Sequence, residues 1–116
     1  MVYKNQIGGI IMNKRIKKKH GYDYIKDEDL WSLDITLAKY ILPRLIRFKE
    51  TNINSYPPDF KSVDEWHNVI DKMIKAFEIV VKDDWRYVGH EEAEKKNKEY
   101  QDGINLFAEY FTELWD

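Results

Sequence analysis

Apolar residues return at three- and four-residue intervals in three stretches of this chain. The spacing predicts three amphipathic helices, over about 29–50, 62–82 and 90–115. The first stretch, DLWSLDITLAKYILPRLIRFKE, carries two apolar rows. Leu30, Leu37, Ile41, Leu45 and Phe48 make one, and Trp31, Ile35, Ala38, Leu42 and Ile46 make the other. A surface helix needs a single row, so two predict a central helix covered from more than one side. Asp27, Glu28 and Asp29 suit its N-terminus, and Arg47 and Lys49 suit its last turn. Pro43 falls inside it, where it removes a donor and presses on the carbonyl of Lys39, so a kink is expected there.

The second stretch opens on Ser62 and Glu65, an S-x-x-E capping box, and its apolar row is Trp66, Val69, Ile70, Met73, Phe77, Val80 and Val81. In the third, Ala93, Asn97, Tyr100, Ile104, Phe107, Phe111 and Leu114 alternate steps of four and three. That heptad seam predicts a helix lying along a neighbour, or a homo-oligomer formed through residues 93–114. Gly103 costs the helix about 1 kcal/mol, which close approach of another helix would explain.

Residues 51–61, TNINSYPPDFK, read as a loop pinned to the core by Tyr56 and Phe60, and in 83–90 Trp85 and Tyr87 are expected to cover an end of the bundle. The predicted fold is all-α: a single-domain bundle of three main helices, with room for a short N-terminal helix within 10–20.

Composition narrows this further. The 116 residues are 43% hydrophobic and 15% aromatic, enough for one folded domain without staples. The absence of Cys excludes disulfides and thiolate chemistry, and five Gly and three Pro are too few for the turns of an all-β fold. No apolar run approaches the length of a membrane span.

The net charge of −2 conceals an asymmetry, with six Lys and Arg and no acid in residues 1–20, which leaves −8 on the remainder. Residues 1–20 are therefore expected to be a basic arm, partly disordered or loosely docked, beside a helical domain over 21–116. Lys14, Arg15, Lys17, Lys18 and Lys19 would meet phosphates if the arm binds nucleic acid, although no aromatic residue interleaves them and the acidic body opposes such binding.

Catalytic signals are missing: no Gly-rich phosphate loop, no H-E-x-x-H and no nucleophile elbow, so a non-catalytic protein without cofactor is expected. His67 and Asp71 stand four apart, as two metal ligands would, but nothing marks a third, and no metal is expected. Asp34 interrupts the row of Leu30, Leu37 and Ile41. A carboxylate there is expected to be buried and paired, either as an anchor of helix register or as a ligand-binding group. The candidate ligand-binding set is Trp31, Asp34, Lys39, Arg44, Arg47 and Lys72, an aromatic surface with cations that would suit a small anionic ligand such as a nucleotide. The alternative is a protein-interaction module working through the acidic body or the heptad seam.

The block Trp31 to Lys49 fits W-S-L-D-x-T-x-A-K-x-I-L-P-R-L-x-R-F-K. It is preceded by the basic lead ending in Gly21-Tyr22 and followed by the D-K-M-I-x-A-F helix at Asp71 to Phe77 and the F-x-x-x-W segment at Phe111 to Trp115. In these features the chain, after about residue 15, resembles a family of small phage-encoded proteins. The resemblance implies viral origin and a place in the cytoplasm of an infected bacterial host. Antagonism of host defence, by sequestering a nucleotide-like signal or by engaging a host protein, is the expectation that follows. It implies no activity.

Overall fold

The computed structural model describes residues 25–82 and 89–115. Among them the fold is all-α, with three main helices and a short one: α1 (Glu28–Trp31), α2 (Leu33–Thr51), α3 (Val63–Lys82) and α4 (His90–Glu109), followed by a 3-10 turn at Phe111–Glu113. The chain divides into two compact units, Met1–Leu33 and Asp34–Asp116. The basic arm, the expected boundary near residue 20, and Trp85 and Tyr87 lie outside the described residues.

In the first unit, α1 is a single turn with no buried residue, and the N–H groups of Asp29 and Leu30 donate to the carbonyls of Lys26 and Asp27. The predicted helix over 29–50 is therefore two helices. Ser32 leaves the helical region (φ −137°, ψ 68°), and α2 starts afresh at Leu33. Ser is a residue whose side chain competes for backbone groups and so favours helix ends. Past that break, α2 runs without interruption through Pro43 to Thr51.

The second unit holds the core, and its centre is α3. Trp66, Ile70, Met73, Ala76, Phe77, Ile79 and Val80 are all buried there. The start of α3 follows the S-x-x-E logic with one change of partner. The Glu65 N–H donates to Ser62 Oγ at 3.2 Å, while Glu65 Oε1 accepts from the N–H of Lys61, at 2.9 Å, and not from that of Ser62.

Against expectation, α2 is not the covered centre. Only Ala38 and Leu45 are fully buried, with Ile35, Ile41, Leu42 and Phe48 packed partly on the core. These residues are the inner margins of both predicted rows, which merge into one core-facing arc. The outer margins, Leu37 and Ile46, remain exposed.

α4 lies directly against α3. Gly103 is buried, and a Cβ there would fall on the Lys72 carbonyl oxygen and within 2.6 Å of the Ala76 Cβ. The missing side chain lets the two backbones touch. Tyr100, Ile104, Phe107 and Leu114 of the seam pack on this chain's own core, whereas Phe111 is exposed because α4 ends at Glu109 and the 3-10 turn rotates the later residues. The loop after α2 is closed by a triangle of rings: Phe60 lies 5.5 Å from Trp66 and 5.2 Å from Tyr110, which are 5.7 Å from each other. Phe60 is thus the plug the sequence suggested, whereas Tyr56 stays exposed.

Candidate functional site

Depressions among the described residues mark the second unit, and three of them bear on function. The first is an apolar groove of about 250 Å³ lined by Tyr40, Ile41, Arg44, Leu45 and Phe48 of α2, with Phe107 and Leu114 opposite. Among the described residues its one charged lining residue is Arg44, whose guanidinium carbon sits 3.6 Å from the centroid of the Tyr40 ring and whose Nη1 donates to the Tyr40 carbonyl oxygen at 2.8 Å. Stacking plus one hydrogen bond fixes the guanidinium at the rim and leaves it further N–H donors. Leu37 and Tyr40 are 51% and 61% exposed beside the groove. Phe111 extends the apolar surface from the other wall, its ring 5.4 Å from that of Phe107.

The second depression, of about 190 Å³, lies where the loop after α2 meets the C-terminal turn, with Asn52, Tyr56, Trp66, Glu113 and Trp115 among its walls. Asn52 is buried and held at both backbone groups. Its N–H donates to the Phe48 carbonyl at 2.9 Å, and its carbonyl oxygen lies 2.5 Å from His67 Nε2. A carbonyl only accepts, so His67 Nε2 carries the proton. The third depression, about 390 Å³, includes Ile46, Ile53, His67 and Ile74, with the ion pair of Lys49 Nζ and Asp71 Oδ1 at 2.6 Å. His67 and Asp71, the two residues at metal-ligand spacing, are thus each turned to a different protein partner.

The predicted ligand set has six residues, Trp31, Asp34, Lys39, Arg44, Arg47 and Lys72. Trp31 belongs to the first unit and is 77% exposed. Asp34 is not buried and has no cationic partner among the described residues; its Oδ1 accepts the N–H of Ile35 at 2.9 Å. The break at Ser32 explains the correction. It places Asp34 in the first turn of α2, where a carboxylate complements free N–H groups without a countercharge. Lys39 is exposed, Arg47 pairs with Glu50 at 3.4 Å on the surface, and the side chain of Lys72 is exposed while its carbonyl faces Gly103. Of the six, Arg44 alone lines the first groove.

What the sequence reading did not single out is the role of α2's outer margin and of the pocket around Glu113 and Trp115. Tyr40 stood next to Arg44 at the i, i+4 spacing that allows stacking, which was the available signal. Scanned against protein-family models, curated proteins and solved structures, the chain matches none of them.

Proposed function

We propose that this protein is a non-catalytic interaction module that receives an acidic amphipathic helix of a partner protein in the groove between α2 and the end of α4. The observation that carries the reading is the exposed apolar margin of α2, Leu37 and Tyr40, continuous with the lining of Ile41, Phe48 and Phe107. Large apolar side chains grouped beside a groove are the ordinary mark of a surface that another protein covers. Charge selects the partner. α2 has four cations, Lys39, Arg44, Arg47 and Lys49, against two carboxylates, Asp34 and Glu50, on a body that is otherwise acidic. An acidic residue one turn from an apolar anchor would reach the stacked Arg44. The resemblance to phage-encoded proteins supplies the partner's origin in this reading, a protein of the bacterial host, and with it a role in counter-defence. The nucleotide reading has less support, because, of the residues meant to hold the anion, Arg44 alone is among those lining the first groove.

A displayed library of amphipathic helices in acidic and basic versions tests the proposal. Acidic helices should enrich on the wild type, lose binding to Arg44→Glu, and shift backbone resonances around Tyr40, Phe48 and Phe107. Equal enrichment of both versions, or unchanged binding to a Leu37→Glu, Tyr40→Glu double variant, would overturn it. Shifts that appear instead on removing residues 1–24 would mean that this chain's own N-terminal segment occupies the groove.

A further inference from the structure

The second depression differs in chemistry from the first, and the proposed docking of a helix leaves it unused. We infer that it is a binding site for an organic ammonium ion. Tyr56 and Trp115 give it exposed aromatic walls, with the buried Trp66 behind them; among the described residues its one charged lining residue is Glu113, and no Lys, Arg or His lines it. Ring faces attract cations through their quadrupole, and a carboxylate adds a full countercharge, so an ammonium head is favoured and an anion repelled. Ser55 brings a hydroxyl to the same lining.

Burial separates site from plug. The core plugs here are Phe60, Trp66 and Tyr110, whose rings pack on each other. Trp115 and Tyr56 take no such place, being 68% and 44% exposed while still lining the pocket. Glu113 is half-buried and has no ion pair among the described residues.

The frame around it is fixed. Pro57 is buried and accepts the Phe60 N–H at 3.1 Å, His67 holds the Asn52 carbonyl, and the Glu113 N–H donates to the Tyr110 carbonyl at 2.9 Å. At about 190 Å³ the pocket is below the roughly 300–1,000 Å³ of sites for drug-sized ligands. It suits a small head group, a primary or a methylated amine, and not a nucleotide.

The test is a titration of the full chain followed by the indole N–H resonances of Trp115 and Trp66, assigned with Trp115→Phe. The probes are tetramethylammonium, propylammonium and choline, at ionic strength held constant with sodium chloride. The neutral isostere of choline, 3,3-dimethylbutan-1-ol, and acetate are the controls. Saturable shifts are expected with the ammonium ions, with affinity about tenfold lower for the neutral isostere, for Glu113→Gln and for Trp115→Ala. Either order of tetramethylammonium and propylammonium supports the site and assigns the head group it prefers. Equal binding of choline and its isostere, no saturable shift with any cation, or an unchanged affinity in Glu113→Gln would overturn the inference. An unchanged melting temperature for Glu113→Gln separates a lost site from a lost fold. The helix-docking reading can fail without affecting this result, since none of these residues lines the α2 groove.

Discussion

α2 and α3 are nearly equal in length, 19 and 20 residues, and both are rich in apolar side chains, yet they use them differently. α3 buries seven residues and α2 buries two. The difference lies in what surrounds each helix. α3 has α4 against its backbone at Gly103 and the arc of α2 packed on its other residues, so a single row of large side chains meets neighbours along most of its length. α2 has one such neighbour, and the apolar residues outside its arc have nothing among the described residues to cover them. Hydrophobic content therefore says how much a helix can bury, and the number of flanking elements decides how much it does. The excess on α2 is the surface on which the proposed function rests.

Core truncation should expose the contrast most sharply. Met73 is fully buried on α3, and Met73→Ala should cost about 2–5 kcal/mol through lost transfer energy and the cavity left behind. Leu37→Ala removes a similar volume from α2 and should stay within about 0.5 kcal/mol. Denaturant midpoints of the two variants measure this directly. Equal losses would mean that α2's outer margin is covered and is not a free surface.

Gly103→Ala comes next. Helix propensity alone favours Ala by about 1 kcal/mol. Here the new Cβ meets the Lys72 carbonyl oxygen of the facing backbone and the Ala76 Cβ, whose position that backbone fixes, and neither can rotate away. The clash should outweigh the propensity gain and destabilise by about 1–3 kcal/mol. A more stable variant would show that α3 and α4 can separate at no cost, and α3 would lose its place as the covered centre.

These two regions also show what was legible from the residues alone. The 3–4 spacing located all three main helices, with the second matched to within a residue, the first broken at Ser32 and the third ending at Glu109, six residues before its predicted end; the mid-helix Gly103 correctly pointed to a close approach, because both signals are local consequences of packing. The rank of the helices was not legible. Two rows on α2 read as two covered faces, whereas the structure merges their inner halves into one arc, a distinction that depends on elements far away in the chain. Asp34 was misplaced for a related reason. Its burial was inferred from a row that began at Leu30, and the break at Ser32 cuts that row before Asp34 is reached. Side-chain direction within the candidate ligand set was not legible either: Arg44 turns back onto Tyr40, and Arg47 pairs within its own helix.

Asp34→Ala refines the comparison at the start of α2. A buried, paired carboxylate would cost several kcal/mol to remove. A first-turn carboxylate bonded only to the Ile35 N–H should cost about 0.3–1 kcal/mol, and less as salt is added, since the interaction with the helix terminus is screened. Chemical denaturation at low and high salt gives both numbers. A loss of several kcal/mol, independent of salt, would restore the register-anchor reading.

The smallest effect tests the edge of the α3 core, where Tyr110 packs on Trp66. Partial burial raises the Tyr110 phenol above its usual value of 10.0, and the nearby carboxylates of Glu109 and Asp59 add to the rise, with Tyr110 Oη donating to Asp59 Oδ2 at 3.4 Å. The folded state thus holds this proton more tightly than the unfolded chain does. The stabilisation is fully present below the unfolded value near 10 and is lost as pH climbs through the higher folded value. The quantity to read is the difference between wild type and Tyr110→Phe. At neutral pH the variant should lose little, because the hydrogen bond to Asp59 is long and exposed. Above pH 10 the wild type should lose stability faster than the variant, since only the wild type must place a phenolate beside two carboxylates at the rim of the core. Parallel curves would mean that the phenol is free to swing into solvent, and the ring triangle of Phe60, Trp66 and Tyr110 would then be a looser closure of the α3 core than its spacing implies.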